Sequence, residues 1–244
     1  MPYIIELQDV HFSAQTRNLV HDISIGFDEG KTTALVGPSG GGKSTVLKLA
    51  AGLFPPDKGE VLFREREIIR MGRQENLAFR KEASFVFQDS ALWANQNLMQ
   101  ILELPLRLHF PSMTKAEQEK RIKSVVAEVG YRKNLMVRPS ELSMGEQKLI
   151  AFARAMMCSP QLLFLDEWTE SLDQSAMMRL VGIVKRLREK GTSIILVSHN
   201  IGVIRDLADF VVVIAAGQIS HRLTREQIES NEDLSRFIEQ EIAS

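Results

Sequence analysis

The stretch "GPSGGGKST" at residues 37–45 limits what this chain can fold into more than any other. It follows the apolar run "TALV" and leads into "VLKLAAGL", so strand, glycine-rich loop and helix stand in that order. Gly37, Gly42, Lys43 and Ser44 have the G-x-x-x-x-G-K-[ST] spacing of a phosphate loop. The glycines let the backbone curl with its amide hydrogens inward, and the next helix adds free N–H groups and its positive end. Lys43 is expected to reach the β- and γ-phosphates of a nucleotide, with the Ser44 hydroxyl on Mg2+. A glycine-rich turn with an unrelated lysine is the plainer reading, and it leaves the strand–loop–helix order unexplained.

Around this loop, strand-like runs alternate with helical ones, the pattern of an α/β sheet. "YIIELQDVHF" reads as an edge strand and "LVHDISIGFDEG" as a second, closed by Asp28, Glu29 and Gly30. "GEVLF" and "ASFVFQ" read as further strands. After Gln88 the pattern turns helical to about residue 160, with breaks expected at Pro105, Pro111 and Pro139. The clearest helix is "TKAEQEKRIKSVVAEVGY", with Thr114 as N-cap and Glu117 three residues on. Ile122, Val125, Val126 and Val129 form its apolar face. Strand patterning returns in "QLLFLDE", "SIILVSH" and "FVVVIAAG", with a helix over 177–189. The expected division is a core of residues 1–88 and 160–221, a helical insertion at 89–159, and a tail at 222–244. That tail reads as two short helices, the second carrying Leu234, Phe237 and Ile238.

The chemistry gathers at strand ends. "LLFLDE" brings Asp166 toward a Mg2+ shell, while Glu167 points differently and can polarise a water. A pair that merely caps the next turn is the alternative. Gln88 closes one strand and His199 another, on the sheet edge where such folds place ligand contacts. A turn glutamine and a surface histidine are the plain readings of these two. Asp173, in "SLDQS", reads as a helix N-cap. In "SELSMGEQ", Ser143 and Glu146 have capping-box spacing, and Leu149, Phe152, Ala153 and Met156 follow at helical intervals. Those residues alone support a well-capped helix whose first turn still has donors for an anion.

Composition removes several classes. Lys and Arg total 30 against 31 Asp and Glu, a net charge of -1, so the broad positive field of a nucleic-acid binder is missing and no nucleic-acid partner is expected. The start "MPYIIELQD" does not read as a secretory leader, and the longest strongly apolar run, "FVVVIAAG", is too short for a membrane helix. Cys158 is the one cysteine, so no internal disulfide or cysteine-built zinc site is expected. The chain reads as a soluble, reducing-compartment protein unless something else holds it at a membrane.

Taken together, the ordered motifs resemble the ATP-binding subunit of an ABC transporter over roughly residues 4–222. Gly37, Pro38, Ser39, Gly40, Gly41, Gly42, Lys43, Ser44 and Thr45 resemble that family's phosphate loop. Gln88 is similar to its Q-loop glutamine, which also approaches the metal, and residues 142–146 resemble its signature, usually Leu-Ser-Gly-Gly-Gln. Asp166 and Glu167 resemble the metal-binding and catalytic carboxylates, residues 171–173 with Asp173 the D-loop, and His199 the switch histidine. Phe12 resembles the aromatic that this family stacks on adenine.

The resemblance implies an α/β fold: a RecA-like P-loop NTPase core with an antiparallel β subdomain and an inserted helical subdomain, residues 1–244 forming one ABC ATPase domain. It implies ATP and Mg2+ as ligands and hydrolysis of ATP to ADP and phosphate. It also implies a head-to-tail dimer, with each ATP between the phosphate loop of one copy and Ser143 and Gly145 of the other. A separate multi-span permease would hold the pair at the cytoplasmic face of the inner membrane. "SALWANQNLMQILELPLR", "RPSEL" and "SNEDLSRFIE" are similar to ATPases of MCE-type (Mla-like) phospholipid transporters, which adds an MCE-type lipid-binding subunit as a partner. "RPSEL" and Glu146 also resemble lipoprotein-release and macrolide-export systems. Met144, Glu146 and Trp168 depart from the family's usual glycine, glutamine and proline, which implies real but slowed hydrolysis. An ATP-binding regulatory subunit with little hydrolysis is the contrasting reading.

Overall fold

Strands β1 (Tyr3–Ala14) and β2 (Arg17–Asp28) pair antiparallel, and β3 (Thr32–Val36) carries the chain to the glycine-rich loop. Helix α1 (Lys43–Ala50) follows, then β4 (Lys58–Phe63), the short β5 (Arg66–Glu67), α2 (Arg73–Glu82) and β6 (Ala83–Val86). Three helices come next without an intervening strand: α3 (Leu98–His109), α4 (Lys115–Val129) and α5 (Met144–Met156). The chain then alternates through β7 (Leu162–Asp166), α6 (Gln174–Glu189), β8 (Ser193–Val197), α7 (Ile201–Leu207) and β9 (Phe210–Ala215), closing with β10 (Gln218–Thr224) and α8 (Arg225–Ser230). The computed structural model describes residues 3–14 and 17–230.

Two sheets result. One is antiparallel in the order β2-β1-β4-β5; the other runs β10-β9-β3-β8-β7-β6, parallel except for β10. This is the expected P-loop NTPase core with its β and helical parts. Its central strands explain why their sequences are apolar on both faces. Leu163 and Leu165 of β7 join the core beneath α3–α6, while Leu162 and Phe164 join the core with α1 and the antiparallel sheet. Ile194 and Leu196 of β8 alternate with Ile195 and Val197 in the same way.

Several expectations need correction. β1 is not an edge strand, because β4 pairs along its other side. Alternation reports a buried face but is silent on which edges are paired. Pro105 does not break a helix: α3 runs through it, with Leu98, Ile101, Leu102 and Leu106 fully buried. Burial of that face outweighs the one hydrogen bond proline removes. β10 extends to Thr224, so the segment expected to be a helical tail from residue 222 begins as strand and turns helical at Arg225. The second tail helix, with Leu234, Phe237 and Ile238, lies outside the described residues. Among the described residues no helix is long and apolar enough to cross a membrane.

Candidate active site

The loop after β3 is shaped by close backbone contacts. Gly37 has φ +133°, and a Cβ there would run into the Ile214 carbonyl of β9. Gly42 has φ +104°, and a Cβ would meet Leu19 O at 2.8 Å. Both positions exclude larger residues on space and on conformation. The turn is closed by Gly41 N–H donating to Pro38 O at 3.0 Å, and Gly217 N–H donates to Gly41 O at 2.9 Å. No side chain caps α1, so the donors of its first turn stay available for an anion.

Lys43 is buried, its Nζ donating to Gly37 O at 2.7 Å and Pro38 O at 2.9 Å. Burial lowers its pKa, while Glu167 and Asp166 pull it back up. The cleft over the loop, about 310 Å³, is lined by residues 39–45 together with Leu19, Gln88, Glu167, Val197 and His199. A larger hollow of about 540 Å³ sits at the opposite, N-terminal ends of β7 and β8. Its arginines are engaged by their own chain: Arg121 on Met156 and Met157 carbonyls, Arg186 on Glu128. Ligands of open parallel sheets bind at carboxyl strand ends, which favours the smaller cleft.

At the end of β7, Asp166 is almost fully buried and its Oδ1 accepts from the Ser44 hydroxyl at 2.7 Å. Burial pushes its carboxyl above the usual range, opposed by Ser44 and then by Lys48 and Lys148. A hydroxyl and a carboxylate held together form the small oxygen donor set that Mg2+ takes when phosphates supply other ligands. No cluster of three His, Cys, Asp or Glu suited to an all-protein metal cage occurs among the described residues. These two residues therefore fit a nucleotide-shared Mg2+.

Glu167, next in sequence, is buried with φ +42°. Its Oε1 lies 3.1 Å from His199 Nε2, across from the phosphate loop. Burial raises the Glu167 pKa first, with His199 opposing and Glu170 adding to the rise. A carboxylate made more basic at a phosphate-binding cleft can take a proton from water.

The remaining expected positions divide. Gln88 lines the cleft, but its amide donates to Glu170 Oε2 at 3.3 Å. Phe12 is not among the lining residues; its ring lies parallel on Phe54, centroids 5.2 Å apart. Asp173 caps α6, Oδ1 accepting from Ala176 N–H at 2.8 Å. Ser143 and Gly145 lie outside the cleft, at the exposed start of α5. There Ser143 N–H donates to Glu146 Oε2 at 3.0 Å, and Lys133 Nζ sits 2.6 Å from Glu146 Oε1. Lys133, then the Ser143 amide, holds the Glu146 carboxyl below its usual range. Met144 is 71% exposed, whereas a Cβ on Gly145 would meet Ser171 O at 2.8 Å.

Sequence reading missed Lys148. It is buried on α5, its Nζ donating to Phe87 O at 3.4 Å and more closely to Gln88 O. Farther along α5, Arg154 donates to Ala91 O at 2.6 Å and Ser90 O at 3.2 Å. One helix thus grips the whole turn after β6. The available signal was a lysine one turn before Phe152, on a face otherwise apolar.

This geometry has close parallels. The ABC transporter family profile matches residues 20–170. The intermembrane phospholipid transport system ATP-binding protein MlaF of Haemophilus influenzae is 32% identical over 95% of this chain and 88% of its own length. The nickel import ATP-binding protein NikE of Brucella abortus is 33% identical over 88% of this chain and 82% of its own. The dimeric structure of the ATP-binding cassette MJ0796 bound to ADP and Pi superposes with a TM-score of 0.83 at 25% identity, covering 91% of this chain and 98% of that one. With phosphate loop, buried acidic pair and histidine around one cleft, and with these relatives spanning nearly its whole length, the chain belongs to the ABC transporter family as an ATP-binding, ATP-hydrolysing subunit.

Proposed function

We propose that this ATPase works as a head-to-tail dimer that powers a separate membrane permease moving phospholipid across the envelope. The observation that carries the chemistry is the buried pair Asp166–Glu167, one carboxylate on Ser44 and the other on His199. Residues 37–45 cradle the phosphates through backbone amides, and Lys43 supplies a buried positive charge. Ser44 and Asp166 would hold Mg2+, joined by Gln88 once its amide leaves Glu170. When bound, the ion would neutralise charge building on the phosphate oxygens. Glu167 takes a proton from the attacking water while the bond between the γ-phosphorus and ADP breaks. His199 orients Glu167 and meets the γ-phosphate. The adenine role expected of Phe12 uses the ring face turned away from Phe54.

Ser143 and the Gly145 amide reach the ATP of the second copy. The exposure of Ser143 and the half-buried position of Gly145 beside it in the single chain support this reading, as does the dimer described for the MJ0796 cassette. The likeness to MlaF over 95% of the chain supports phospholipid as cargo, an MCE-type subunit as a further component, and attachment at the cytoplasmic face through the permease. The similar identity to NikE supports a metal importer as the second reading. Purifying the complex from membranes and identifying what co-extracts distinguishes them. A permease with bound phospholipid is expected; a permease with an ion-binding partner and no lipid overturns the lipid assignment.

A further inference from the structure

We infer that Trp168 is the positioning residue for Glu167, acting through a ring stack with Phe152 of α5. The inference rests on Glu167 being the base. Glu167 occupies the left-handed region, where a non-glycine residue is strained and persists only if its surroundings hold it. Its backbone has modest restraint: its N–H donates to Val197 O at 3.1 Å, and its carbonyl accepts from Glu170 N–H at 3.3 Å. The next side chain supplies the anchor. Trp168 has no exposed surface and heads the fully buried large residues of the chain. Its ring lies 5.7 Å from that of Phe152, at 27°.

Polarity does not explain a tryptophan here. Its Nε1–H meets no acceptor among the described residues, so the indole contributes shape rather than a hydrogen bond. A proline, the residue the family resemblance places at this position, would fix the backbone through its own ring. In this chain packing performs that task, and the packing partner belongs to the helix that begins at Ser143. Phe152 is itself fully buried, so α5 cannot shift without carrying the indole, and with it the peptide that aims Glu167. The carboxylate of one ATP site is thereby set by the helix whose tip is offered to the other.

The test compares turnover and ATP affinity in the full-length chain for Trp168→Phe, Trp168→Leu, Phe152→Leu and the Phe152→Leu/Trp168→Leu double variant. Glu167→Gln serves as control. Trp168→Leu and Phe152→Leu are each expected to lower kcat about 10- to 100-fold, the scale of an ångström-level misplacement, with the Kd for ATP unchanged within about twofold. The double variant should lose no more than the worse single one, and Trp168→Phe should recover most of kcat. Additive losses, an unaltered kcat in Trp168→Leu, or a Trp168→Phe as slow as Trp168→Leu would overturn the inference. If Trp168→Leu fails to bind ATP, the Phe152→Leu and Trp168→Phe arms decide by the same criteria. Should Glu167→Gln keep full turnover, the assignment of the base fails instead, which separates the two outcomes.

Discussion

The cleft at the phosphate loop and the start of α5 are both polar, yet they are built in opposite ways. In the cleft, Lys43, Asp166 and Glu167 are buried; Lys43 is held by carbonyls of its own loop, while each carboxylate is met by a side chain from another part of the chain. At the start of α5, Ser143 and Glu146 bind each other three residues apart, and exposed Lys133 is the outside partner. The first region is finished within one chain. The second satisfies its own backbone and leaves its outer side open, as suits the role proposed for it, meeting a ligand across an interface.

The sharpest way to break this contrast is at the proposed base. Glu167→Gln should cut turnover about 10²- to 10⁴-fold while ATP stays bound and the dimer accumulates, readable by turnover assay and size-exclusion chromatography. Full activity would dissolve the distinction between a chemical region and a presenting one. Next in size is Lys148→Met. Two carbonyls of the turn after β6 lose their buried donor, and urea unfolding should show a loss of about 1–3 kcal/mol. Turnover should fall as well, since Gln88 is no longer fixed.

The α5 start should respond more gently. Lys133→Ala removes an exposed partner and should change folding stability by less than about 1 kcal/mol, with the larger effect on ATP-driven dimerisation because Glu146 then repels the phosphates. The pair also has a definite pH sign. The folded Glu146 carboxyl sits below its ordinary range, so it contributes stability above that range and loses it as pH falls through the depressed value. Amide exchange over 143–147, corrected for intrinsic rate, should speed up in acid and do so less in Lys133→Ala. The smallest effect belongs to Met144→Gly, which should leave ATP affinity alone and preserve or raise dimer-dependent turnover. A sharp loss of affinity there would place Met144 in its own chain's cleft.

What could be read ahead of the structure was chemistry written over a few consecutive residues. The phosphate loop, the Asp166–Glu167 pair and the Ser143–Glu146 cap are local patterns, and local offsets determine their geometry. The β4 edge of β1 joins residues roughly fifty positions apart, and Lys148 reaches Gln88 across 60. No periodicity encodes such meetings. Helix α2 escaped notice for another reason: it buries only Phe79, too little to make an apolar stripe. Pro105 misled because a single breaker was weighed without the four fully buried side chains around it.

Gly145 and Met144 carry a last consequence, for mutational drift. Side-chain volume at 144 falls into solvent, so that position can wander in size without disturbing the isolated fold. At 145 the first added carbon collides with the Ser171 carbonyl, two residues before the cap of α6. Tolerance in this motif is therefore lopsided: one neighbour is free to vary until a partner arrives, while the other is policed by its own chain at every moment of its folded life.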